Sequence, residues 1–347
     1  MIDFSRRETM SAAVTPLMGA HVGGLASPTI AKEQVDVMRH SHISSNGIVL
    51  HVVEVGDGPP VLFCHGFPDT WRGWRRQMEA VSKAGYRAIA IDMRGYGESS
   101  APEDPLSYTP FHTVGDLVGL LDALDLQSVT VVGHDFGANV AWNAAMMRPD
   151  RFRAVFGISV PYLPRGEKSY LQILADAGRT DFYMFGRIRP EADREWEDAR
   201  VIIPSRLYWS SGAPSKKDRW SPFGRDQPMK EAPVPLPDWA DPKDVADTVA
   251  EFVRTGFHGG LNYYRSIQFG FDLLAPFKGQ VIGQPSFFLV GEVDGLNEIV
   301  SRTTEELQRS LPGLVGHVRL PGVGHWPQRE AVVETNETLV KFLKQVS

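Results

Sequence analysis

Gly133-His134-Asp135-Phe136-Gly137 stands directly behind the apolar run Ser128-Val129-Thr130-Val131-Val132. A Gly-x-nucleophile-x-Gly pentad after a strand marks a strained strand-to-helix turn that presents its central side chain. Serine commonly fills that centre; here it is Asp135. The chemistry changes with it. A serine alkoxide attacks acyl carbon. A carboxylate is a poor acyl-transfer nucleophile but displaces at saturated carbon, leaving an alkyl ester on the protein. Strained rings and carbon–halogen bonds are therefore the expected targets, rather than ordinary esters. The plain alternative is a tight turn with no chemistry.

The elements that would position such a residue are legible around it. Asn46-Gly47 is a hairpin signal between His42–Ser45 and the alternating stretch Ile48–Val55. Strands are predicted at Val61–Cys64, Arg87–Asp92, Val129–Gly133, Ala154–Ser159, Pro285–Gly291 and His317–Pro321. Helices are predicted at Trp74–Ala84, Val114–Leu126, Ala138–Arg148, Glu298–Ser310 and Gln328–Gln345. Val114, Leu117, Val118, Leu121 and Leu124 recur at helical spacing on one face. Such alternation implies an α/β fold, a mostly parallel sheet with helices on both faces. Its functional residues are expected at the carboxyl ends of the strands.

From about Tyr162 to Asp272 the alternation stops. The segment is rich in Pro, Trp, Tyr and charge, and Ser210 to Asp241 is irregular. Val245–Thr255 and Leu261–Phe269 read as amphipathic helices with aromatic faces. A lid or binding element explains such a stretch inside a compact domain. The domain reading is therefore an N-terminal extension at 1–36, a core at 37–161 and 273–347, and an inserted helical cap at 162–272. Ser5-Arg6-Arg7-Glu8-Thr9-Met10, then the mildly apolar Ser11–Ala26, resembles a twin-arginine export leader. A plain extension of a cytoplasmic enzyme, or a start at Met10, is the alternative. Localisation is therefore cytoplasmic, or periplasmic or secreted if the leader is real.

The motifs join into one family resemblance. They are His65-Gly66-Phe67-Pro68, Arg94-Gly95-Tyr96-Gly97-Glu98-Ser99, the pentad with Ala138, Gly256 to Arg265 (GFHGGLNYYR), Gly291-Glu292-Val293-Asp294 and Gly324-His325-Trp326-Pro327-Gln328. From about His40 to the C-terminus the chain resembles the soluble epoxide hydrolase group of α/β-hydrolases. Several of these motifs are shared with haloalkane dehalogenases. The aspartate nucleophile together with the cap motif ending Tyr264-Arg265 is the more specific combination.

The resemblance implies roles. Asp135 is the nucleophile, Asp294 the acid and His325 the histidine, in the chain order of this fold. His325 is expected to act as general base on water, with Asp294 holding its tautomer and stabilising the imidazolium. Glu292 is the runner-up acid, and His134 and His65 are expected to position backbone. The amides of Phe67 and Phe136 are the expected oxyanion donors, contributing about 3 kcal/mol each. Family members use two cap tyrosines to protonate the ring oxygen. Tyr264 matches one through its motif. Ungapped alignment puts Phe185 in place of the other. Tyr183 serves only if that helix is shifted, and Tyr208 is a more remote candidate.

Other classes fit less well. Haloalkane dehalogenases cradle halide with side-chain N–H groups, which Phe67 and Phe136 lack. Fluoroacetate-type dehalogenases typically carry an arginine after the aspartate, where this chain has Phe136. A non-catalytic binding protein would not need Asp135, Asp294 and His325 together. The 347 residues carry a net charge of −6 with mixed signs, which offers nucleic acid no basic face. The single cysteine, Cys64, excludes an internal disulfide, and no run is apolar enough to span a bilayer. The sequence implies no metal and no cofactor. The expected partners are a small hydrophobic epoxide and water, with a homodimer one option for assembly.

Overall fold

A computed structural model describes residues 37–224 and 230–347. The export-leader reading of 1–36 lies outside the described residues. Eight strands form one sheet: β1 (Arg39–Ser45), β2 (Ile48–Val55), β3 (Pro60–Cys64), β4 (Arg87–Ile91), β5 (Val129–His134), β6 (Phe152–Ile158), β7 (Ser286–Gly291) and β8 (Leu314–Leu320). Their spatial order is β1-β2-β4-β3-β5-β6-β7-β8. β1 and β2 pair antiparallel through the Asn46-Gly47 turn, and β2 runs antiparallel to β4. All later pairings are parallel.

Side chains alternate across the sheet with the two-residue period of a strand, and so build two apolar layers. Val52, Leu62 and Val131 face one layer; Val53, Phe63 and Val132 face the other. The first layer is covered by α2 (Pro110–Ala123) and α3 (Phe136–Met147), the second by α1 (Arg75–Lys83) and the C-terminal helix. Between β6 and β7 run α4 (Tyr170–Asp176), α5 (Tyr183–Arg187), α6 (Ala192–Glu195), α7 (Ala199–Trp209), α8 (Pro242–Thr255), α9 (His258–Arg265) and α10 (Ile267–Leu273). No strand of the sheet falls among the described residues of 162–272. Residues 36–347 form one compact unit, so these helices pack onto the rest of that unit.

Local chemistry sets the helix ends. Asp241 caps α8 by accepting from the amides of Lys243 and Asp244, Pro242 fills the first position, and Gly256 at φ 67° ends it. The predicted helix over Glu298–Ser310 is in fact two, α11 (Asn297–Val300) and α12 (Thr304–Ser310). Thr303 and Glu306 form a capping box that starts the second. The predicted helix over Gln328–Gln345 likewise divides into α13 (Pro327–Glu330) and α14 (Val332–Val346). Glu330 accepts from the amides of Gly212, Gly324 and Trp326, and this tertiary anchoring fixes the short helix at its own angle. Among the described residues no helix is long and apolar enough to cross a membrane.

Candidate active site

β5 delivers Asp135 at φ 53° and ψ −118°, a conformation that non-glycine residues rarely adopt. Strain of this kind costs on the order of 1–3 kcal/mol and collects at functional positions. The flanking glycines make the turn possible. A Cβ on Gly133 would lie 2.1 Å from the Gly137 carbonyl oxygen, and one on Gly137 would lie 2.0 Å from that of Cys64. Helix and strand can therefore close on each other only without those side chains.

The carboxylate of Asp135 is held asymmetrically. Oδ1 accepts the Phe67 amide at 2.9 Å. Oδ2 lies 3.7 Å from Nε2 of His325, too far for a direct hydrogen bond. The Phe136 amide, at the first turn of α3, makes no hydrogen bond to this carboxylate. The loop carrying Phe67 is braced on both sides. His65 donates from Nδ1 to the Gly66 carbonyl at 2.8 Å and accepts the Met93 amide at Nε2, 3.1 Å away. Arg329, on α13, reaches Asp69 at 2.6 Å.

His325 follows β8, and its Nδ1 is 3.0 Å from Oδ2 of Asp294. Asp294 in turn accepts the Leu296 amide at 2.9 Å. Burial pushes the His325 pKa down, but the Asp294 carboxylate opposes it through charge and hydrogen bond. With the Asp135 charge added, the net shift is upward. Two donors fix the His325 carbonyl: Nε2 of His134 at 2.7 Å and Oγ of Ser159 at 2.9 Å. Burial, with the His325 charge second, pushes His134 down to about 4, so its ring is neutral and holds backbone. Glu292 is exposed, and its carboxylate is 3.4 Å from the Gly322 amide rather than on His325.

The helices between β6 and β7 place aromatic groups over Asp135. α9 is seated on the core by Tyr263, which donates to the Arg94 carbonyl at 3.1 Å, and by Asn262, which donates to the Glu103 carbonyl at 3.2 Å. His258 and Arg265 both engage Asp193 of α6, at 3.0 and 2.8 Å. Tyr264 is thereby buried, with its ring 4.7 Å from that of Phe136 and 5.3 Å from that of Phe67. Tyr183 is also buried, its ring 6.2 Å from that of Tyr264. Both tyrosines and Asp135 line one small pocket.

The ungapped alignment is corrected here. Phe185 packs beside Phe182 at 6.1 Å and lines neither that pocket nor the large cavity beside it. α5 begins at Tyr183, which sets the helical phase so that Tyr183 faces the site. Tyr208 stacks edge-on with Trp209 at 4.7 Å and lines neither space.

One residue escaped sequence reasoning. Arg187, one helical turn after Tyr183, is buried and donates from Nη1 to the Tyr264 hydroxyl. Its guanidinium lies 4.5 Å from the Tyr183 ring centre and 4.6 Å from that of Trp196. Burial raises the Tyr264 pKa, and Arg187 opposes that rise. The i, i+4 spacing of Tyr183 and Arg187 is the signal in the sequence that could have pointed to it.

A carboxylate at the elbow, with an acid–histidine pair beside it at the carboxyl ends of a mostly parallel sheet, is an arrangement of the α/β-hydrolase fold. Residues 59–332 match the family model described as alpha/beta hydrolase fold. An epoxide hydrolase of Caballeronia sordidicola is 58% identical over 306 residues, spanning 88% of this chain and 93% of that protein. Epoxide hydrolase A of Mycobacterium tuberculosis is 35% identical over 87% of this chain and 96% of its own. The crystal structure of epoxide hydrolase A from Mycobacterium thermoresistibile superposes with a TM-score of 0.82 at 35% identity, over 90% of this chain and 99% of that one. An epoxide hydrolase from Vigna radiata gives 0.82 at 33% identity, over 89% and 98%. The chain belongs to the epoxide hydrolases of the α/β-hydrolase fold family.

Proposed function

We propose that this enzyme hydrolyses an epoxide to a vicinal diol through an alkyl ester on Asp135. The supporting observation is the division of labour on that carboxylate. Oδ1 is engaged by the Phe67 amide, while Oδ2 faces His325 and the substrate space. Oδ2 attacks a ring carbon, and the carbon–oxygen bond of the ring breaks. Tyr264 and Tyr183 give the departing oxygen a hydrogen bond and a proton. Arg187 occupies the Tyr264 oxygen as a donor, so the phenol hydrogen is left to point at substrate. The same cation stabilises the phenolate that remains.

In the second half-reaction His325 takes a proton from water, which adds to the ester carbon of Asp135. Negative charge develops on Oδ1, where the Phe67 amide already points. The Phe136 amide is the second donor in this reading. The bond from the ester carbon to Oδ2 then breaks, and the diol leaves carrying Oδ2. The imidazolium proton returns to the phenolate through solvent. Dehalogenation is disfavoured because the side chains flanking Asp135, Phe67 and Phe136, carry no N–H for a halide.

His325→Gln tests the two-step scheme. The first step does not need the base, so intact-mass spectrometry is expected to show a substrate adduct that persists. Asp135→Ala is expected to show none. An adduct on Asp135→Ala would place the nucleophile elsewhere.

A further inference from the structure

Asp135 stands between two spaces of unequal size. On one side lies a cavity of about 310 Å³, whose lining includes Phe136, Trp142, Val160, Tyr162, Phe271 and Ile299. Leu163 is exposed, and Phe271, Leu274 and Phe277 are half-buried, so these lining residues mark where the cavity meets solvent. On the other side lies a pocket of about 30 Å³ against Phe67, Tyr264, His325 and Trp326. Among its described lining residues only Trp220 is half-buried; the rest are buried.

A space of this kind needs about 10–15 Å³ to hold one water, so the small pocket takes two or so waters and no extended carbon chain. That pocket also adjoins Nε2 of His325, where the attacking water has to stand. A substituent there would meet packed rings and displace the nucleophile of the second step. The two carbons of an oxirane share one oxygen, so groups on both carbons diverge from a single point beside Asp135. A trans-disubstituted epoxide sends one of them toward the small pocket.

Building on the epoxide-hydrolase reading, we propose that the substrate is lopsided. One ring carbon is unsubstituted. The other carries an extended apolar alkyl or arylalkyl group that fills the large cavity, whose volume is about ten times that of the small pocket. The substituent lies between Trp142 and Ile299, and the bare carbon faces the small pocket.

The test compares diol formation from terminal decene oxide, its symmetric trans internal isomer, and terminal butene oxide, using the full chain. The two decene oxides have the same formula and nearly the same hydrophobicity. We expect kcat/KM for the terminal decene oxide to exceed that of the internal isomer by roughly tenfold or more, the discrimination a pocket of fixed size gives. Ile299→Trp fills the large cavity and is expected to lower the ratio of decene to butene terminal oxide rates. A ratio is insensitive to the folded fraction. Equal or faster turnover of the internal isomer would overturn the inference and leave epoxide hydrolysis standing. An unchanged ratio in Ile299→Trp would overturn it too, by showing that the chain lies elsewhere. Turnover of none of the three oxides would remove the epoxide-hydrolase reading itself, and this inference with it.

Discussion

At the scale of single residues, the chemistry turns on which groups carry charge and when. Arg187, Tyr264 and Tyr183 form one cluster in which a buried cation holds a phenol oxygen. Removing Tyr264 as Tyr264→Phe is expected to slow alkylation of Asp135 by roughly 10²-fold or more, the lower range of general acid catalysis. Tyr183→Phe is expected to do likewise, whereas Phe185→Leu leaves the alkylation rate near wild type. Stopped-flow tryptophan fluorescence can follow this step. Arg187→Met removes the donor to the Tyr264 oxygen and the cation that opposes its upward shift, so alkylation is expected to slow while hydrolysis of the ester changes little. His325 gives the complementary prediction. It must be neutral to act as base, so ester hydrolysis rises with pH through its pKa. In the free protein that pKa sits above the ordinary histidine value because Asp294, and then Asp135, outweigh burial; in the alkyl-enzyme Asp135 is an uncharged ester and Asp294 alone remains of these two carboxylates. Asp294→Asn removes the principal raising group. The acid limb for the residual hydrolysis of the alkyl-enzyme is therefore expected at lower pH than in the unaltered protein, although the rate itself falls. A limb that stays in place would show that Asp294 does not set the His325 charge.

At the scale of elements, two segments far apart in sequence are tied beneath the site. The loop after β3 carries the Phe67 amide, and α13 follows the turn that carries His325. Asp69 and Arg329 join them in a buried pair at 2.6 Å, both side chains under a tenth exposed. Taking one partner away leaves an uncompensated buried charge. Asp69→Ala is therefore expected to cost about 3–5 kcal/mol of unfolding free energy in urea denaturation. It is also expected to slow ester hydrolysis more than alkylation, because the Phe67 donor loses its brace. A loss under about 1 kcal/mol, the scale of exposed pairs, would show that the bridge is solvent-screened.

Element positions were readable where hydrophobic period and turn chemistry agree. The hairpin at Asn46-Gly47 and the strand before Asp135 are such cases. β8 begins at Leu314, earlier than the predicted His317, because Gly316 in a half-exposed strand gives no alternating apolar signal. The break between α13 and α14 was hidden as well, since the groups that impose it lie at Gly212 and Gly324. Tyr183 and Arg187 illustrate the same limit at the site. Their spacing was visible, but the phase of a five-residue helix depends on what it packs against.

At the scale of the whole molecule, the candidate chemistry sits at the carboxyl ends of β5, β7 and β8, where the order of the parallel sheet brings Asp135, Asp294 and His325 together. The helices between β6 and β7 add Tyr183, Arg187 and Tyr264 from above and keep the acid groups dry. Neither layer alone holds both the nucleophile and the acid, so the reaction belongs to their junction. By the covalent route the oxygen entering the diol comes first from Asp135. Single-turnover hydrolysis with enzyme in excess, in water enriched in heavy oxygen, tests this directly by mass spectrometry of the diol and of the peptide carrying Asp135. The covalent route predicts an unlabelled diol from the first turnover and the heavy oxygen in the Asp135 carboxylate. Full label in the diol at the first turnover, with an unlabelled Asp135 peptide, would mean that water opens the ring directly and would contradict it.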